Sequence, residues 1–285
     1  MQNRTEKTKI FVKKLAAKIK IDALFSAAND LTYKLFFSLF PFTIFLMSAV
    51  GFFRLDADFI IEEISAILPS GASQPLQAVI KEILGVRSAN MLSFSLAISV
   101  FTASSGFKTA MRSINKAYSR KDTRSFIAKT LISMALVVVF TVIIIMSFIL
   151  LIFGGGILNF IIDYFNYFDY FEYFDLDSRV FFYMFNIFRY IISVTIMFIS
   201  VVLINKLALC RKAKIKSLIP GAFFTVFSWA SVSALFNFYI ARFSNYASVY
   251  GSIAGIIILM LWLNIMCAVL LLGSEINATL ERLNG

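Results

Sequence analysis

The 285-residue chain is 60% hydrophobic and 15% charged, against about 45–50% apolar and about 25% charged residues in soluble domains, so its apolar surface exceeds what a soluble core takes up. It has no histidine, which excludes His-containing zinc sites and Ser-His-Asp triads and removes the usual general base near neutral pH. The formal net charge of +11 admits nucleic acid or an anionic membrane as partner until the basic residues are placed along the chain.

Residues 1–32 read as a cytoplasmic amphipathic segment without the charged, apolar, small-residue order of a cleaved signal peptide. Within it, 9–25 predicts a helix with Phe11, Leu15 and Ile19 on one face and Lys13, Lys14, Lys18 and Lys20 elsewhere, suited to an anionic membrane surface. A bilayer core of about 30 Å takes about 20 helical residues to cross. Apolar runs of that length predict six spans, at 33–53, 91–111, 130–156, 180–205, 217–240 and 251–273, within a transmembrane domain covering 33–279 and followed by a short cytoplasmic tail at 280–285. Pro41 in the first span removes a backbone donor and is expected to kink it. Residues 56–85, split by Pro69-Ser70-Gly71, predict an interfacial helical hairpin rather than a span. The fold class is therefore all-α and polytopic.

Lys and Arg in short loops concentrate on the cytoplasmic side. Residues 1–32 carry seven, 108–129 seven and 206–216 five, whereas 157–178 carry none. This places both termini inside and makes the basic charge first a report of topology. The segment 157–178 alternates Asp163, Asp169, Glu172, Asp175 and Asp177 with aromatics, which favours an outer interfacial belt over a cation site.

Ionisable residues inside spans are costly and often functional. Arg189 lies about ten residues into the fourth span, roughly 15 Å deep at 1.5 Å per residue, with Asn264, Ser104 and Ser105 the nearest polar candidates by level. Two placements stay open: a mid-membrane guanidinium that holds a lipid phosphate in its forked donors, or a span that starts near Asn186 and leaves Arg189 at the outer edge. Glu275 is expected near the cytoplasmic surface together with Lys34 and Lys108, which favours an interfacial ion pair over a transport gate. Gly251 and Gly255 have the spacing that brings membrane helices close. Cys210 and Cys267 have no metal or redox spacing and read as unpaired packing residues.

Three stretches carry a resemblance: SLFPF at 38–42, which holds Pro41; FTASSGFKTAMRSINKAYS at 101–119; and the C-terminal stretch 220–278. The last contains Pro220-Gly221, Phe236 with Tyr239, Tyr246, Tyr250-Gly251-Ser252, Trp262, and Gly273 with Glu275 and Asn277. Together they resemble the YihY/virulence factor BrkB family of polytopic bacterial inner-membrane proteins. One departure is VVLINKLALC at 201–210, where the family tends to show a tyrosine followed by a proline. The resemblance implies six spans, a bacterial cytoplasmic membrane and a function little defined. Some members have carried a ribonuclease label, and others have been connected with lipid export or serum resistance.

The leading expectation is transport of an anionic lipid or other amphiphile, with Arg189, Asn264, Ser104 and Ser105 as candidate substrate-binding residues. A non-transporting envelope scaffold is the alternative, and a tRNA nuclease is disfavoured because the cytoplasmic segments lack clustered metal ligands. No catalytic residue, metal or cofactor is expected. The expected partners are membrane lipids, with an oligomer admissible and nucleic acid not.

Overall fold

A computed structural model describes residues 2–52, 89–143, 178–211, 213–242 and 252–284. The expected hairpin at 56–85, and the aromatic and acidic segment before Ser178, lie outside them. Among the described residues every regular element is an α-helix: α1 Gln2–Ile21, α2 Leu24–Phe52, α3 Ala89–Ala117, α4 Phe126–Ile143, α5 Ser178–Ala208, α6 Ile215–Arg242 and α7 Ser252–Asn284. Four of them, α4 to α7, contain stretches long and apolar enough to cross a membrane, and α2 adds a run without charge from 35 to 52. On α3 and α6 the outer faces are bare: Phe94, Phe101, Phe223 and Leu235 are 69%, 66%, 68% and 68% exposed. Apolar patches on that scale mark a surface that lipid covers, and the chain is accordingly a multi-pass membrane protein.

The N-terminal helix stops short of its predicted end. It closes at Ile21, the Asp22 N–H bonding the Lys18 carbonyl at 2.8 Å, and Ala23 turns the chain with φ 51° before α2 begins at Leu24. Residues 9–25 are thus not one helix, because a left-handed residue interrupts them without the glycine that usually signals one. Phe11, Leu15 and Ile19 are half-buried and Lys13, Lys14 and Lys20 exposed, as the amphipathic pattern requires.

Two connections are built by side chains rather than by glycine or proline. After α3, Ser119 (φ 49°) donates its N–H to the Lys116 carbonyl at 2.8 Å and Arg120 donates to Asn115 at 2.9 Å, a Schellman closure with serine at the left-handed position. The Ser125 hydroxyl then accepts the Ala128 N–H at 3.2 Å and starts α4. At the end of α5, where the proline of the resembled family is missing, the Ala208 carbonyl is met by Asn115 Nδ2 at 2.8 Å and Arg124 Nη2 at 2.6 Å. These donors satisfy carbonyls that a helix end leaves open.

Long-range bonds set the direction of each helix. Lys18 reaches the end of α3 at the Ala117 carbonyl, Asn115 the end of α5, Ser274 of α7 bonds Asn205 of α5, and Asn277 of α7 bonds the start of α6. The C-terminal ends of α1, α3, α5 and α7 therefore share one end of the bundle with the starts of α2, α4 and α6. The main core lies at that end, with Leu31, Met111, Ile114, Leu136, Leu218 and Leu271 buried together.

A close backbone contact joins α6 and α7. A Cβ on Gly273 would meet the Gly221 carbonyl oxygen at 2.7 Å, inside any real approach. The Gly221 N–H donates to Asn277 Oδ1 at 2.6 Å, while Asn277 Nδ2 donates to the Leu218 carbonyl at 3.0 Å. Of the Gly251 and Gly255 pair expected to pack, Gly255 has nothing within 4 Å among the described residues, and Gly251 lies outside them. Small residues on two different helices, 52 positions apart, do the work that the local spacing suggested.

Candidate functional site

The six helices α2 to α7 wall a cavity of about 550 Å³, within the range of small-ligand pockets. Its wall is mostly apolar: Leu35 and Phe42 of α2, Phe107 of α3, Phe140 of α4, Met197 of α5, Trp229 of α6 and Trp262, Cys267 and Leu270 of α7. Ser38, Ser99, Thr141 and Ser233 add hydroxyls. Trp229 Nε1 donates to the Met266 carbonyl at 2.9 Å, which fixes the indole against α7 and satisfies its one donor. Such a space accepts a hydrocarbon chain, while the hydroxyls meet an occasional polar group.

Outside that lining, polar side chains gather toward the basic connections. Asn205 accepts from the Ser274 hydroxyl at 2.7 Å and donates to the Val201 carbonyl at 2.9 Å; Asn115 accepts the Cys210 N–H at 2.9 Å. Both asparagines are almost wholly buried, and buried amides persist only when their partners are all supplied. At the α2 edge, Lys34 bonds Asp30 at 2.8 Å and Thr109 at 2.6 Å, and Thr109 donates to Asp30 at 3.0 Å. Burial raises the Asp30 carboxyl, but the donors and charges of Lys34, Thr109 and Arg112 outweigh it and hold it below the usual value. On the connection after α3, Asp122 is gripped by Arg124 through Nε at 3.0 Å and Nη2 at 3.1 Å, and it too lies below the ordinary carboxylate range once those bonds outweigh burial.

The predicted substrate-binding residues fare unevenly. Arg189 lies on α5, but its side chain is outside what the structure describes. Asn264 is directed at α2, where it donates to Asn29 Oδ1 at 2.7 Å and Thr32 at 3.3 Å. Ser104 and Ser105 bond carbonyls of their own helix, Phe101 at 2.7 Å and Thr102 at 2.8 Å. Asn264 and the two serines thus spend these bonds on separate partners and do not converge on one another.

Of the motif residues, Trp262 lines the cavity, Pro41 precedes the lining Phe42, and Pro220 leads into the Gly221 contact. Tyr246 and Tyr250 lie outside the described residues, and the Tyr239 side chain does also. Glu275 departs from its expected partners: Lys34 serves Asp30, Lys108 lies over the Phe126 ring at 5.2 Å, and the cation nearest Glu275 is Lys18 at 3.6 Å. The reason is α1, whose end folds against α7. Sequence reading passed over Asn115, Asn205, Lys18 and Trp229 as site residues; an asparagine at the end of a long apolar run is a signal that marks Asn205, whereas Asn115 stands among basic residues in MRSINKAYSRK. Cys210 and Cys267 are free thiols. Among the described residues no group of three or more Cys, Asp or Glu side chains is placed to hold a metal ion.

A family model described as virulence factor BrkB matches residues 15–284. A Bacillus subtilis (strain 168) protein, YfkH, whose name carries the label ribonuclease-like, is 30% identical over 272 residues, covering 95% of both chains. A UPF0761 membrane protein of Tolumonas auensis is 56% identical over 45 residues, 16% of this chain and 15% of its own length. One from Haemophilus influenzae (strain ATCC 51907) is 33% identical over 73 residues, 26% and 27% of the two lengths. No solved structure matches.

Proposed function

The chain belongs to the virulence factor BrkB family, and on that premise we propose that it is a transporter moving an anionic lipid or similar amphiphile between leaflets of a bacterial cytoplasmic membrane. The observation that carries this reading is the cavity, walled by the six described helices after α1 and apolar through most of its lining, with the hydroxyls of Ser38, Ser99, Thr141 and Ser233 set among the apolar side chains. The apolar wall takes the chain of an amphiphile, and the basic connections on the side where α2, α4 and α6 begin favour an anionic head there. In this reading α2 to α7 are six spans with both termini cytoplasmic, as the loop charges favour, and Arg189 is a guide for the headgroup.

The ribonuclease-like label of the Bacillus relative does not carry over readily, because Asp122, the acid on the basic connection after α3, has both oxygens engaged by Arg124. The scaffold alternative uses α1 alone and leaves the cavity without a role.

The test is to reconstitute the full chain and follow transfer of a labelled phosphatidylglycerol across vesicles. Ala103, half-buried on the cavity wall, offers a blocking position. Transfer faster than in protein-free vesicles, slowed several-fold by Ala103→Phe and by Arg189→Ala at unchanged thermal stability, supports transport. Rates equal to those of protein-free vesicles sink it.

A further inference from the structure

At the end of the bundle, where α1 folds against α7, two carboxyl groups share one ammonium. Glu275 is only 3% exposed, and Lys18 and Asp22 side chains are 12% and 11% exposed. Lys18 Nζ spends its short bonds on Asp22 Oδ2 at 2.7 Å and on the Ala117 carbonyl at 2.6 Å. Glu275 Oε2 is left at 3.6 Å from that ammonium and without a hydrogen-bond donor. The Asp22 and Glu275 carboxyls are thus brought together on one ammonium. Two carboxylate oxygens are both acceptors, so their contact becomes a hydrogen bond only when one of them holds a proton.

The other charged groups at this end hold different partners: the Lys116 ammonium donates to the Asp22 main-chain carbonyl at 2.8 Å, not to either carboxylate. Arg120 pairs with Glu281 at 3.0 Å. Arg282 bonds the Ala117 carbonyl at 3.3 Å and the Ser119 hydroxyl. The Tyr118 hydroxyl is buried without a partner, its ionisation displaced upward by burial and by the Glu281 charge, so it stays neutral. With both acids ionised, the Lys18, Asp22 and Glu275 triad carries one net negative charge on groups with little exposure, which is costly.

We infer that Glu275 is a proton-binding site: a proton from water forms an O–H bond on its carboxylate, the acid then donates to Asp22, and the triad becomes neutral with Lys18 still charged. Loss of the proton returns it to water and sets two carboxylates against each other. That repulsion pushes Asp22 away from α7, next to the left-handed Ala23 where α1 turns into α2. Proton exchange therefore controls how firmly α1 is strapped beneath the cavity. The proton site stands on the geometry alone; its coupling to movement of an amphiphile rests on the transport reading above.

Infrared difference spectroscopy of the reconstituted full chain during a pH titration tests the site through the carbonyl band of a protonated carboxylic acid. The expected result is a titrating band that is absent in Glu275→Gln and moves to a higher midpoint in Lys18→Met, which removes the counter-cation. In Asp22→Asn the band is expected to persist with a lower midpoint, and this variant keeps the test open should Glu275→Gln fail to fold. A band unchanged in Glu275→Gln, lost in Asp22→Asn, or unmoved in Lys18→Met overturns the inference. Phosphatidylglycerol transfer under an imposed pH gradient tests the coupling: acceleration in wild type and none in Glu275→Gln supports it. Transfer that ignores both gradient and substitution removes the coupling, while absence of any transfer removes the transport reading and leaves the spectroscopic result to decide the proton site.

Discussion

Gly221 and Gly273 meet backbone to backbone, the carbonyl oxygen of the first lying 2.7 Å from where a Cβ on the second would stand. Neither position has room for a methyl group: at Gly273 it would strike the Thr225 hydroxyl and the Gly221 carbonyl oxygen, at Gly221 the Gly273 carbonyl oxygen and the Asn277 amide, and the two carbonyls are main chain and cannot swing aside. Gly273→Ala is expected to cost about 1–3 kcal/mol or more by forcing α6 and α7 apart, and Gly221→Ala a similar amount because Asn277 is displaced as well. Gly255→Ala, with open space around it, is expected to be nearly neutral. Thermal unfolding of the three variants in one detergent checks the ranking, and a Gly255 variant as damaged as the other two contradicts it.

The turn between α1 and α2 holds an exposed alanine at φ 51°. A non-glycine residue in that region costs roughly 1–2 kcal/mol relative to its right-handed form, partly offset by the greater unfolded-state freedom of glycine. Ala23→Gly is therefore expected to stabilise the protein by about 0.5–1 kcal/mol, read as a higher unfolding midpoint. A lower midpoint argues that the turn is not left-handed.

Asp122 gives a pH dependence with a definite sign. Its carboxyl is held below the usual value by the Arg124 bonds despite burial, so its contribution is present above about pH 4 and is lost as the pH falls through the lowered folded-state value. Asp122→Asn is expected to cost up to about 1 kcal/mol near neutral pH, with the two unfolding curves converging in acid. RNA incubated with either protein is expected to stay intact; cleavage that disappears with Asp122→Asn would restore the nuclease reading.

The two cysteines report on access from different sides. Cys210 is half-buried beside the basic connection after α5, while Cys267 is buried on the cavity wall. A charged, membrane-impermeant maleimide is expected to label Cys210 in inside-out vesicles and not in right-side-out ones, and to spare Cys267 in both. A small apolar maleimide is expected to reach Cys267 slowly, and more slowly still in Ala103→Phe. Labelling of Cys210 from the opposite face reverses the proposed orientation.

Much of this architecture was written in one dimension. Apolar runs about 20 residues long can only be satisfied as helices in lipid, where every backbone group must bond within its own segment, so the long helices and their alternation were legible from 35–52 or 255–272 alone. Trp262, Gly221, Gly273 and Asn277 were legible as a motif, though not the reason they occur together. Lys18, Asn115 and Asn205 were not legible as site residues, because their roles depend on partners 257, 93 and 69 positions away. The same distance misled the reading of Glu275, whose nearest cations by level were not its nearest in space.

By itself, then, the sequence determined an all-helical membrane protein with its basic residues gathered in three segments, since hydrophobic length and charge are properties of a segment and need no neighbour. Only the tertiary structure decided which polar groups are shared between helices. The Gly221 and Gly273 contact, the cavity that Trp229 and Trp262 help to wall, and the single ammonium between Asp22 and Glu275 exist because helices distant in the chain pack side by side. The cost of burying a polar group depends on the partner that packing supplies.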